Sequence, residues 1–244
     1  MKRTAILAYG LLCYLAFFGT FLYLIGFVTG LIVPRGIDAG TQATGALDWL
    51  VNIGLVALFA IQHTIMARGW FKAKWTKLCP PAVERSTFVV VTCAILLTLF
   101  TQWRPIEGTL WHVEGVAGGL LQGLSYVGFA LVVLATFLID HFELFGMKQV
   151  IRFFRGTEHT DPPFMIRSLY KYVRHPLYVG FLMAFWFTPH MTYSHLLFAV
   201  ATTGYLMIGI AFEESDLIRM HGDKYREYKK RVPSLLPIPG KSWK

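Results

Sequence analysis

The chain has 244 residues, of which 55% are apolar and only 15% are charged, with a formal net charge of +9. A soluble globular chain carries about 25% charged residues, so the composition excludes an ordinary soluble enzyme. It points instead to a polytopic membrane protein with no room for a second, soluble domain. The basic residues lie between apolar stretches rather than in one patch, which argues against nucleic acid as the partner they serve.

Taken in order, the apolar runs are Ala5 to Val33, ending at Pro34-Arg35, then Trp49 to Met66, Thr87 to Trp103 and Leu120 to Ile139. A closing pair, Leu177 to Phe187 and Leu196 to Phe212, flanks a polar connection containing Pro189, His190 and His195. A helix needs about 20 apolar residues to cross a bilayer, so the fifth run is short and reads as a tilted or partial span. The expected fold is all-α: a transmembrane bundle of five to six spans with a C-terminal membrane hairpin and a short cytoplasmic tail. Gly26-x-x-x-Gly30 and Gly119-x-x-x-Gly123 have the spacing that lets helices approach closely.

Charge orients the bundle. With the N-terminus inside, 21 Lys and Arg fall on the inner side and only Arg35 and Arg104 on the outer. The positive-inside rule then places both termini in the cytoplasm. The first apolar run is too long, and lacks the small-residue site, for a cleaved signal peptide. Cys13, Cys79 and Cys93 form no disulfide framework, and no His or Cys spacing predicts a metal.

Under this topology the titratable groups gather at one membrane depth. His63 lies near the inner end of the second span; Asp140, His141 and Glu143 stand at the end of the fourth; Arg174 and His175 open the fifth; Glu213 and Glu214 close the sixth. Ionisable groups at span ends are often merely solvated, but four ends converging on one face predict a shared site. A transporter would more often hold such groups near mid-membrane and carry an inverted repeat, which this sequence lacks.

At these residues a resemblance emerges. Arg174-His175-Pro176-x-Tyr178-x-Gly180 followed by Glu213-Glu214, with Gly222-Asp223-Lys224-Tyr225-Arg226-Glu227-Tyr228 and Val232-Pro233 behind it, resembles the C-terminal signature of the isoprenylcysteine carboxyl methyltransferase and phospholipid methyltransferase superfamily. Gln62-His63-Thr64, Glu84-Arg85-Ser86-Thr87, Gln102-Trp103-Arg104-Pro105-Ile106 and Asp140-His141-Phe142-Glu143 look like bacterial methanethiol S-methyltransferases along nearly the whole chain. The resemblance implies one membrane domain over residues 1–244, with a four-span part to residue 139 and a cofactor-binding part from residue 140. It implies S-adenosylmethionine as cofactor, a small thiol such as methanethiol as substrate, and the lipid bilayer as surroundings. No Gly-x-Gly-x-Gly loop of soluble methyltransferases occurs. The alternatives are another acceptor, in an enzyme of the isoprenylcysteine, phospholipid or NnrU type, or a non-catalytic membrane assembly protein.

The implied cofactor carries a carboxylate, an ammonium and a sulfonium. Arg174 suits the carboxylate and Glu213 or Glu214 the ammonium or ribose hydroxyls, while Tyr178 and Tyr225 suit the adenine or sulfonium. His175 and Gly180 complete the cofactor set, and Pro176 leaves amides of the first helical turn to face an anion. The competing reading is a salt bridge between Arg174 and Glu213 that only closes the hairpin. The acceptor thiol must lose its proton, since a free thiol near pKa 8.5 is mostly protonated at neutral pH. His141, with Asp140 and Glu143 beside it, is the expected base, and His63 the second candidate.

Overall fold

The computed structural model describes residues 2–41, 45–157 and 164–243. Among these, five helices are long and apolar enough to cross a membrane: α1 Lys2–Thr29, α2 Ala46–Ala67, α4 Pro81–Gln102, α5 Gly115–Ile139 and α9 Tyr193–His221. Short helices accompany them: α3 Gly69–Trp75, α6 His141–Leu144, α7 Met147–Arg155, α8 Pro176–Trp186 and α10 Asp223–Arg231. Two brief strands, β1 Thr109–His112 and β2 His190–Thr192, pair with each other. The protein is an all-α integral membrane protein, and the short fifth apolar run forms an 11-residue helix, α8.

Packing divides the chain into two compact units that interleave along the sequence. The first comprises Met1–Leu110, Asp140–Thr160 and Met191–Leu197; the second comprises Trp111–Ile139, Asp161–His190 and Phe198–Lys244. In the first unit α1 packs on α4 and α7, and α2 packs on α4. Val150 of α7 is fully buried with Ile6 and Val83. In the second unit α5 lies along α8. There a Cβ on Gly180 would stand 2.8 Å from the Gly128 carbonyl oxygen, and one on Gly128 2.7 Å from that of Gly180. Two glycines thus let the helix backbones touch, which is how membrane helices gain contact without a hydrophobic driving force.

The helix faces confirm the solvent. Leu47, Leu50, Leu58 and Ile61 of α2, and Val116, Leu120, Val127 and Phe137 of α5, are all exposed. Such continuous apolar surface would aggregate in water, but it is what lipid tails require. Within the spans, the Thr98, Thr101, Thr202 and Thr203 hydroxyls donate to their own helix carbonyls one turn back. They need no water there.

Three sequence expectations change. Gly119 and Gly123 have nothing within 4 Å of a Cβ position, so that motif makes no close approach among the described residues. The first helix stops at Thr29 rather than Val33, because Gly30 turns the chain with φ +74. Glu213 and Glu214 do not end the last long helix: α9 continues past them to His221. That extension follows from sequence, since Glu-Glu-Ser-Asp-Leu-Ile-Arg-Met holds no helix breaker before Gly222.

Candidate active site

In the second unit the site grows from Pro176. Proline at the first helical position needs no amide partner and presets φ. It also pushes the residue before it out of the helical region, and His175 accordingly has φ −127. The segment it extends is edged by the C-terminal tail: the Arg174 amide donates to the Pro233 carbonyl (2.9 Å) and the His175 amide to Ser234 (3.1 Å). The Tyr178 and Val179 amides both donate to the His175 carbonyl at 3.1 Å, so these two are spent inside the turn.

The acidic pair splits its roles, because neighbours on a helix point in different directions. Glu214 turns inward, its side chain 6% exposed against Arg174 at 8%. One carboxylate oxygen receives Arg174 Nε (2.7 Å) and His175 Nε2 lies 3.1 Å from it. The other receives Lys229 Nζ at 2.6 Å. Glu213 remains 45% exposed, accepts the Tyr178 hydroxyl at 2.6 Å, and lies 3.8 Å from His175 Nδ1. The His175 and Tyr178 rings stack 5.3 Å apart and nearly parallel. The hairpin salt bridge is therefore Arg174–Glu214, not Arg174–Glu213.

Arg174 spends its remaining donors on the carbonyls of Lys229, at 3.1 Å, and Val232. Tyr225 is buried with Tyr228 and Val232, against Phe164. Burial, followed by the Glu214 charge, pushes its hydroxyl well above the ordinary value, so the phenol stays protonated beside Arg174. Gly180, expected to touch cofactor, is committed to the α5–α8 contact.

The first unit holds the other group. Asp140 caps α6 by accepting the Glu143 amide at 3.2 Å, as an N-cap aspartate does, and pairs with Lys148. Burial would raise the Asp140 carboxyl, but these partners outweigh it and hold the group below its usual range. Glu143 accepts the Gln149 side-chain amide at 2.7 Å. His141 is buried among Tyr14, Phe17, Phe142 and Phe145, and its Nε2 lies 2.8 Å from the Tyr14 hydroxyl. Burial lowers its pKa more than the Asp140 charge raises it, leaving a neutral imidazole at neutral pH.

The turn carrying α6 is fastened to α4. Arg85 Nε donates to the Leu144 carbonyl at 2.7 Å. Gly146, with φ +85, passes so close that a Cβ would meet the Ser86 backbone nitrogen at 2.8 Å. His63 sits on α2 between the rings of Phe59 and Phe88, with Arg85 as its electrostatic neighbour.

The relatives decide the chemistry. A methanethiol S-methyltransferase of Mycobacterium tuberculosis is 45% identical over 98% of this chain and 98% of its own length. One from Crocosphaera subtropica is 43% identical over 99% of this chain and 95% of its own, and another from Bradyrhizobium diazoefficiens 50% identical over 94% and 81%. The chain belongs to the methanethiol S-methyltransferase family. More distantly, Nurim of Xenopus laevis is 30% identical over 82% of this chain and 78% of its own length. No family model matches the chain, and no solved structure matches it significantly.

The protein is thus a methyltransferase, and its family implies a methyl donor and a small thiol acceptor. Two residues of this methyltransferase were invisible as functional candidates in its sequence. Tyr14 interrupts an apolar run with no motif around it, and only the fold sets its hydroxyl against His141. Lys229 lies in Lys229-Lys230-Arg231, which reads as a solvated basic tail. A signal did exist: Tyr225 and Tyr228, three apart, bury one face of α10, with Lys229 in the next position.

Proposed function

We propose that the protein methylates methanethiol to dimethyl sulfide with S-adenosylmethionine, at the cytoplasmic face of a bacterial inner membrane. The observation that carries the reading is the ion cluster of the second unit, in a chain so similar to methanethiol S-methyltransferases. Its donor set suits a cationic ligand: Glu213 offers a part-exposed carboxylate beside the stacked His175 and Tyr178 rings. S-adenosylmethionine, when bound, supplies an electrophilic methyl group for the acceptor sulfur.

In this reading Glu213 and Tyr178 meet the cofactor's ammonium or ribose hydroxyls by charge-assisted bonds. Arg174, His175, Glu214 and Tyr225 act from behind, as a buried ion knot that fixes the start of α8 and the angle of Glu213. His141 takes the thiol proton. Its neutral imidazole is the form a base needs, and the Tyr14 hydroxyl holds the ring in place. Asp140 and Glu143 shape the α6 turn on which His141 stands, and His63 serves α2 packing.

Headspace gas chromatography of purified protein supplied with methanethiol and S-adenosylmethionine tests donor and acceptor together. Dimethyl sulfide should form only with both present. Faster turnover of a prenylcysteine analogue or of a long-chain thiol would overturn the acceptor, and no transfer from S-adenosylmethionine would overturn the donor.

A further inference from the structure

The last turn of α10 does two things to one ion pair. Its side chain Lys229 reaches Glu214 at 2.6 Å, while its backbone carbonyls, at Lys229 and Val232, accept from Arg174. The final carbonyls of a helix have no partner within it, and they carry partial negative charge. A guanidinium there satisfies them, and it is held by the same turn whose ammonium holds its counter-ion.

The hook is anchored on both sides. Before it, the Tyr228 hydroxyl donates to the Tyr170 carbonyl at 2.7 Å. After it, Pro233 and Ser234 pair with the Arg174 and His175 amides, and the Trp243 amide donates to the Lys171 carbonyl at 2.9 Å. Lys229 itself is 46% exposed, so its side chain adds little to the packing of this anchor. What it supplies is a charge on the second oxygen of Glu214, whose first oxygen is already taken by Arg174 and His175.

We infer that Lys229 is a positioning residue for methyl-donor binding: by occupying the outer oxygen of Glu214 it commits that carboxylate wholly to the interior. Glu213 is then left as the single carboxylate that faces the donor. Without the ammonium, Glu214 has an unsatisfied oxygen, and the Arg174 and His175 geometry that fixes the angle of Glu213 relaxes. The inference rests on the reading that this cluster holds the donor. It assigns to the basic tail a task that its sequence, read as a solvated charge run, does not announce.

The test uses full-length protein in detergent, with S-adenosylmethionine affinity measured by calorimetry, turnover at saturating donor, and thermal unfolding. Lys229→Met and Lys229→Gln should each weaken donor affinity and raise donor KM by about tenfold, the scale of one partly solvated charge-assisted bond. Saturated turnover should stay at the wild-type value, and the unfolding midpoint should fall by only about 2–4 °C, the share of one half-exposed ammonium partner. Lys229→Arg should restore affinity, and Lys230→Met, at the exposed neighbour, should leave it unchanged. Unchanged affinity in both neutral variants overturns the inference, as does a midpoint lowered well beyond that together with a fall in saturated turnover, which would make Lys229 a structural clasp. Glu213→Gln separates the two levels. If it weakens donor binding while the Lys229 variants do not, only the role of Lys229 falls. If Glu213→Gln also leaves affinity intact, the donor reading of the cluster falls with it.

Discussion

The Arg174–Glu214 pair invites a double-mutant cycle, because the structure dictates how its members depend on each other. Removing one partner of a buried ion pair costs about 3–5 kcal/mol, since the other charge stays behind without compensation. Here Glu214 would keep Lys229 and His175, and Arg174 would keep two carbonyls. The lower end of the range, about 3 kcal/mol, therefore applies to Arg174→Gln and to Glu214→Gln. For a chain of this size about 2–4 °C accompanies each kcal/mol, so each single variant should unfold some 6–12 °C early. Replacing both leaves two neutral amides in place of two charges, and the double variant should recover about 1.5–3 kcal/mol relative to the sum of the singles. Thermal unfolding of the purified variants, followed by tryptophan fluorescence, measures all four corners. Losses that simply add, to within about 0.5 kcal/mol, would show that the two groups act independently and would refute the buried-knot reasoning.

Three further outcomes follow from the first unit and from the topology. His141→Ala should lower turnover by about 10²–10⁴-fold at neutral pH with donor affinity intact, and the deficit should shrink as pH rises and solvent supplies thiolate; near-normal turnover would exclude His141 as base. Because burial depresses the His141 pKa below its unfolded value, the folded chain binds fewer protons there. Its stabilising share is complete above about 6.5 and is lost as pH falls below that toward the lowered folded value. His141→Gln should remove that part of the acid sensitivity in a thermal-unfolding series against pH. Reporter fusions placed after Trp243 and within the 105–115 connection should report opposite sides of the membrane, and the same side for both would overturn the cytoplasmic assignment of the termini.

Much of the fold was legible because lipid imposes it. A helix is the cheapest way to satisfy a lone backbone stretch in hydrocarbon, so apolar length alone predicts α1, α2, α4, α5 and α9 and marks α8 as short. Helix ends were less legible, since they depend on local chemistry. Gly30 ends α1 earlier than hydropathy suggests, and α9 runs on through Glu213 and Glu214 because polar helix formers continue a helix as well as apolar ones.

The site divides the same way. That Arg174, His175, Tyr178, Glu213, Glu214 and Tyr225 belong together was readable from a motif whose residue types are costly at a membrane edge. Which carboxylate faces inward was not readable. Glu213 and Glu214 are identical in type and adjacent, and only the rotation of α9 against α8 and α10 gives one to Arg174, His175 and Lys229 and the other to Tyr178. In the first unit the polar run Asp140-His141-Phe142-Glu143 was readable as chemistry, yet Asp140 became a helix cap and the His141 partner came from Tyr14, 127 positions away in the chain. Composition and periodicity decide what a residue pays to be in a membrane. Its hydrogen-bond partner is set by the geometry of helices that meet only in the folded chain.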